Sequence, residues 1–184
     1  MTTLISLKGE KIHERAIMVE TFRVDDDRIL IEGRLNDRRE REIYTLMGER
    51  RPPGAVHGMV ARFLVGETPP KILDAEAEMP KIPIEECDKA RDSIKKLIGL
   101  RIIYGFSRAV KERLGGTVGC THLTSLVLSM GSAAMQGIAN NRGQKKISPE
   151  AKSLMSQYVK NSCCVWREDG ELFKAVTEEI KKGR

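Results

Sequence analysis

Residues 15–35 read RAIMVETFRVDDDRILIEGRL and carry the pattern of a β-hairpin. The first part, Arg15–Val24, is rich in the branched and aromatic residues that favour strands. Three aspartates follow at 25–27 and predict a turn. Ile29, Ile31, Gly33 and Leu35 then occupy every second position, so one face of a second strand is mostly apolar.

A second hairpin is predicted directly downstream. Met59–Val65 and Lys71–Glu78 have strand character, and the loop between them, Gly66–Pro70, is rich in turn residues. The polar stretch Arg51–Gly54 contains two prolines, which cannot extend a hydrogen-bonded ladder. We therefore expect it to separate the two hairpins.

The second half of the chain has helical periodicity. Its longest apolar segment, 121–139, places Leu123, Leu126 and Val127 at three-four spacing. Ser148 before Pro149 is a typical helix start. Strands followed by helices predict an α+β fold, in which an antiparallel sheet built from two hairpins packs against a helical C-terminal half. The predicted helices cover 84–98, 105–114, 121–139, 148–159 and 171–182.

One domain is expected over residues 1–184. Within it we predict three parts: an N-terminal hairpin in 1–50, a core of hairpin and helices in 54–139, and C-terminal helices in 148–184. Hydrophobic residues at 40% and charged residues at 32% are typical of a globular protein.

The formal net charge of +6 alone would favour an anionic partner. The charges are mixed, however, and residues 37–42 alternate in sign, which is typical of a solvated face. Binding of nucleic acid is therefore not expected. No apolar run is long enough to span a membrane and no signal peptide is recognisable, so we expect a cytoplasmic protein with reduced cysteines.

The segment Gly115–His122 has the strongest chemical signal, because Cys120 and His122 follow a glycine-rich turn at the start of an apolar helix. On a helix these two positions would point about 200° apart. Both can face one ion only if Cys120 lies before the helix in extended geometry, with Thr121 as the N-cap. A helix N-terminus also favours the thiolate, which binds zinc or iron.

Two ligands do not complete a metal site. His57, flanked by glycines at the entry to the third strand, is a third candidate, and Cys87 after the fourth strand is another. Cys163 is the alternative to Cys87. We therefore predict one zinc or iron ion, structural or catalytic, bound by Cys120, His122, His57 and Cys87. Each residue also has a simpler interpretation; Cys87, for example, lies on an apolar helical stripe and is typical of core packing.

Two other functions remain open. In the first, Cys120 is the nucleophile of an enzyme and either His122 or His57 is its base. In the second, a basic surface binds an acidic protein partner or supports a homo-oligomer. The residues of that surface would be Arg142, Lys145, Lys146 and the C-terminal Lys181, Lys182, Gly183 and Arg184.

The segment Leu114–Leu123, with its Gly-Cys-Thr-His-Leu sequence, resembles a bacterial domain family of unknown function. Similar pieces extend the resemblance over about residues 13–173, and it implies no known activity. A remoter resemblance, to iron–sulfur scaffold proteins of the NifU/IscU type, rests on the order of elements over 54–139. There His57 stands where a cysteine is expected and the late pair is Cys-x-His. These departures favour a single ion over a cluster.

Overall fold

The computed structural model describes residues 3–143 and 146–182. The strands are β1 His13–Arg23, β2 Ile29–Arg39, β3 Ile43–Tyr44, β4 Arg50–Arg51, β5 Gly54–Gly66 and β6 Lys71–Lys81. The main sheet is antiparallel, with the strand order β1-β2-β5-β6, so the two predicted hairpins join edge to edge through β2 and β5. A small hairpin, β3 and β4, leaves the sheet between β2 and β5.

Helices dominate the second half, as predicted. The predicted helix at 84–98 consists of 3-10 turns over Glu85–Leu97, in which Ile94 and Leu97 are buried. Residues 161–167 form turns and contain no strand. Two short 3-10 segments, Leu4–Leu7 and Gly116–Val118, complete the described helical structure. The α-helices are α1 Phe106–Leu114, α2 Thr121–Arg142, α3 Pro149–Val159 and α4 Glu171–Lys182.

The core lies between one face of the sheet and α2. The inward side chains of β2 are buried against the apolar stripe of α2, which includes Leu126 and Met130. Gly33 allows this close approach, because a Cβ there would lie 2.7 Å from Met130 Cγ and 2.9 Å from Leu126 Cδ1. A larger residue at position 33 would therefore clash with the side chains of α2.

Helices α3 and α4 pack mainly on each other. Ser148 begins α3 as expected, since its hydroxyl accepts a hydrogen bond from the Ala151 amide at 3.2 Å. Within α4, Ile180 is buried, whereas Leu172 is exposed, so the apolar side of this helix is covered only in part.

The α+β prediction is confirmed by this antiparallel sheet and helical second half. The division into three parts remains a prediction. Across residues 3–143 and 146–182, every helix is too short or too polar to cross a bilayer.

Candidate metal centre

The site begins as a row of cross-strand neighbours. Arg15 of β1 is directly opposite Asp37 of β2, and Asp37 is opposite His57 of β5. Side chains that are opposite each other in antiparallel strands lie on the same face. The row therefore extends the inward face of the sheet toward the end where α2 begins.

A β-bulge lies beside this row. The register runs from Asp37 opposite His57 to Arg38 opposite Ala55, so Val56 is the extra residue of β5. Bulges re-aim side chains at the ends of sheets. His57, expected at the entry to a strand, thus lies within a bulged strand.

Asp37 is the centre of the site. Only 3% of the residue is exposed, although the mixed charges around it suggested a solvated segment. Its carboxylate is held by the Arg15 guanidinium, which donates from Nε to Oδ1 at 2.6 Å and from Nη2 to Oδ2 at 2.7 Å. This two-point contact satisfies a buried charge that would otherwise be costly.

All three histidines of the chain surround that carboxylate. His57 Nδ1 lies 2.9 Å from Asp37 Oδ2, and His122 Nε2 lies 3.8 Å from the same oxygen. His13 Nε2 lies 3.8 Å from Asp37 Oδ1 and is the most exposed of the three. Residues separated by more than 100 positions therefore converge on one group.

The turn before α2 places His122 over the sheet. Cys120 is extended and is itself the N-cap residue, so α2 begins at Thr121, the residue we predicted as the cap, and the cap lies one residue earlier than expected. Gly119 lies against the end of α1, since a Cβ there would be 2.5 Å from the Leu114 carbonyl oxygen. The Thr124 hydroxyl tightens the turn, lying 3.0 Å from the Leu114 oxygen and 2.8 Å from the Cys120 oxygen.

The imidazoles of His57 and His122 are stacked, with ring centroids 3.7 Å apart and planes inclined by 29°. On the other side of the His122 ring, Nδ1 lies 3.8 Å from Cys120 Sγ. The two nitrogens of His122 therefore face different groups, with the thiol at Nδ1 and the Asp37 carboxylate at Nε2.

Electrostatics favour an ionised carboxylate beside a neutral imidazole. The Arg15 guanidinium lowers the pKa of Asp37, against the effect of burial. Burial lowers the pKa of His122, and the nearby His57 and Arg15 add to this shift, while Asp37 opposes it. A neutral imidazole and a carboxylate are the forms that coordinate metal ions.

The cluster opens into a pocket of about 450 Å³. Arg15, Asp37, His57 and His122 lie in its wall, together with further residues from β2, the β3–β4 hairpin and the segment before β1. A volume of this order is typical of small-molecule sites, which span roughly 300–1,000 Å³.

A family model for proteins of unknown function, DUF2889, matches residues 13–136, about two thirds of the chain. The chain belongs to this family. No curated protein and no solved structure matches the chain, so these comparisons give no support to the NifU/IscU resemblance. The DUF2889 match is shorter than the 13–173 expected. It contains the row on the sheet and both Cys120 and His122, but ends before Cys163.

The predicted ligands are brought together only in part. Asp37, His57 and His122 form a group whose potential ligand atoms all lie within 4.8 Å of one another. Cys120 lies beside His122 but is not a member of this group. Cys87 is partly buried against the core, and Cys163 is exposed on the loop before α4.

Sequence reasoning missed Asp37 and Arg15, although a signal for Asp37 was present. The inward alternation of Ile29, Ile31, Gly33 and Leu35 continues to residue 37, so the strand pattern places a carboxylate on the core face. A charged residue in phase with a buried face needs a partner. Nothing in one sequence identifies that partner as Arg15, because the pairing depends on the register of β1.

Proposed function

We propose that this DUF2889 protein binds one divalent transition-metal ion, zinc or iron(II), through Asp37, His57 and His122. The convergence of these three ligand groups within 4.8 Å carries the proposal. Two imidazoles and one carboxylate are a frequent ligand set for catalytic zinc and for non-haem iron. Three protein ligands beside an open pocket also leave a coordination position for water or a substrate.

The spacing of the donor atoms supports binding with small movements. Ligands at about 2.1 Å from a tetrahedral ion lie about 3.4 Å from each other. Asp37 Oδ2 is 2.9 Å from His57 Nδ1 and 3.8 Å from His122 Nε2, values on either side of that spacing. Because imidazole lone pairs lie in the ring plane, the stacked rings must open beyond 29° to share an ion.

Two neighbours would orient the ligands. Arg15 holds the Asp37 carboxylate in place, and Cys120 lies near Nδ1 of His122, the nitrogen that points away from the ion. Groups of this kind fix ligand orientation, and their loss typically weakens metal binding about 10–100-fold. The earlier prediction that Cys120 and Cys87 are themselves ligands, and the NifU/IscU analogy, remain untested.

Metal analysis of the purified protein tests the proposal. We expect about one zinc or iron ion per chain, lost in Asp37→Asn, His57→Gln and His122→Gln. His13→Gln is the matched control, because His13 lies as near to Asp37 as His122 does, at 3.8 Å, but lies outside the ligand group. A wild-type protein that neither contains nor takes up metal would refute the proposal.

Cobalt substitution separates the two ligand sets. A cobalt thiolate absorbs strongly in the near ultraviolet, whereas cobalt bound by imidazole and carboxylate does not. We expect no such band, and an unchanged spectrum in Cys87→Ser. A thiolate band lost in Cys120→Ser would assign Cys120 to the metal instead.

A second candidate function, an enzyme with Cys120 as nucleophile, is favoured by one observation. The Cys120 thiol, the His122 imidazole and the Asp37 carboxylate form a row in space, with 3.8 Å between Sγ and Nδ1 and 3.8 Å between Nε2 and Oδ2. This is the order of nucleophile, base and orienting carboxylate, and such contacts often tighten only when substrate binds. Alkylation of Cys120 against pH in metal-free protein tests it, since a nucleophile requires an acidic thiol that becomes ordinary in His122→Gln.

The basic surface remains a prediction. Arg142 donates a hydrogen bond to the Thr68 hydroxyl at 2.7 Å, and Lys181 and Lys182 end α4. Lys145, Gly183 and Arg184 lie outside the described residues.

A further inference from the structure

We infer that the pocket beside Asp37 binds a small organic anion, with a carboxylate or phosphate group at one end and an apolar body. This inference deepens the proposed metal function, because it names the class of molecule that would reach the ion. It rests on a separate part of the pocket wall, formed by Arg39 and the apolar side chains of Ile12, Ile43 and Val56.

Arg39 is the residue that points to an anion. It lies on the inward face of β2, two positions beyond Asp37, and is half-buried in the pocket wall. In the described part of the chain, its side chain donates hydrogen bonds only to the Pro52 carbonyl oxygen, at 2.9 Å from Nη2 and 3.3 Å from Nε. No carboxylate of residues 3–143 and 146–182 pairs with it, so its charge is not neutralised within this part of the chain.

The other charged groups of the wall are already paired. Arg15 is bound to Asp37, and Arg41 forms an ion pair with Glu10. Glu42 is bound by Arg50 outside the pocket at 2.6 Å. The guanidinium of Arg39 is thus the group available to a ligand, and its planar fork matches carboxylate and phosphate oxygens.

The rest of the wall is apolar. Ile12, Ile43 and Val56 line the same pocket, with Val56 placed there as the extra residue of the bulge. A volume of about 450 Å³ accommodates a molecule of about the size of a substituted aromatic ring. An anion on Arg39 with its body against these side chains would lie in the same cavity as the three proposed metal ligands.

Binding of benzoate and phenyl phosphate, measured by calorimetry and by amide chemical shifts, tests the inference. Benzamide is the neutral probe and inorganic phosphate is the probe without an apolar body. The protein is studied both metal-free and zinc-loaded. Arg39→Gln removes the charge, and Arg38→Gln is the matched control, since Arg38 points to the opposite face and pairs with Glu40.

We expect one or both aromatic anions to bind more tightly than benzamide and phosphate, and the tighter anion to distinguish a carboxylate from a phosphate ligand. Loss of a charge-assisted contact in Arg39→Gln should weaken binding about tenfold or more. Arg38→Gln should leave it unchanged. Equal affinities in wild type and Arg39→Gln, or no binding of either anion, would overturn the inference.

Failure of the metal proposal would give a different result. If the protein takes up no metal but the metal-free form binds benzoate through Arg39, the anion site stands and the metal proposal falls. If zinc binds and neither anion does, the reverse holds. Circular dichroism of Arg39→Gln, compared with wild type, confirms that a loss of binding is not a loss of fold.

Discussion

Replacing Asp37 with asparagine should destabilise the metal-free protein by about 2 kcal/mol. The substitution keeps the shape of the side chain but removes the charge that the Arg15 guanidinium contacts at two points. Breaking a buried ion pair costs about 3–5 kcal/mol, and hydrogen bonds to charged groups contribute about 1.5–3 kcal/mol. The Asp37 side chain is 2% exposed but that of Arg15 is 34% exposed, so water can solvate the released guanidinium and the lower figure applies.

Urea denaturation in the presence of a chelator measures this cost without any contribution from metal. In a thermal melt with the same chelator, a loss of about 2 kcal/mol in a chain of this size should lower the melting temperature by about 4–8 °C. The double variant Asp37→Asn/Arg15→Gln should lose less stability than the sum of the two single variants, by at least about 1 kcal/mol. A change below about 0.5 kcal/mol in Asp37→Asn, or strict additivity, would refute the view that this pair holds the site together.

Three further outcomes are expected. Gly119→Ala should lower the unfolding free energy by about 1–3 kcal/mol in urea, because the new Cβ meets a backbone oxygen at 2.5 Å, whereas Gly9→Ala, with no atom within 4 Å, should change it by less than about 0.5 kcal/mol. The Arg62 guanidinium lowers the pKa of Glu32 in the folded protein. The ionised carboxylate therefore stabilises the fold at pH values above the pKa of Glu32 in the unfolded chain, and this contribution is lost as pH falls through the lower folded pKa. The unfolding free energy should depend less steeply on acid pH in Glu32→Gln than in the surface control Glu112→Gln. Zinc at a hundredfold excess over its Kd should stabilise wild type by about 2.7 kcal/mol and leave His122→Gln unchanged, as thermal melts can show.

Local patterns were sufficient for most of the elements. The alternation in β2 and the three-four spacing in α2 predicted both, because each buries one face and the period of burial is visible in the sequence. The segment at 84–98 was harder. Its apolar residues suggested one helical stripe, but Ile84 and Ile98 are exposed and the backbone forms 3-10 turns. Periodicity does not distinguish these helix types over so short a segment.

The site was predictable only where its residues depend on local structure. Cys120 in extended geometry before a helix follows from the glycines and the apolar run after them, and the structure shows this geometry. The meeting of His57 with His122 was expected from their positions at element ends. Arg15 and Asp37 required the register of three strands, which is set by long-range packing and by the bulge at Val56.

The extra residue at position 56 separates the length of the preceding hairpin from the placement of His57. The ladder from Asp37 opposite His57 to Ile29 opposite Val65 is unbroken, so this part of β5 sets the side of the sheet on which the imidazole lies. Deleting one residue between the Arg50–Arg51 strand and His57 would remove the bulge and shift Ala55, while the imidazole would stay beside the carboxylate. Adding or deleting one residue between His57 and the buried Met59 would instead carry the imidazole to the opposite surface of the sheet.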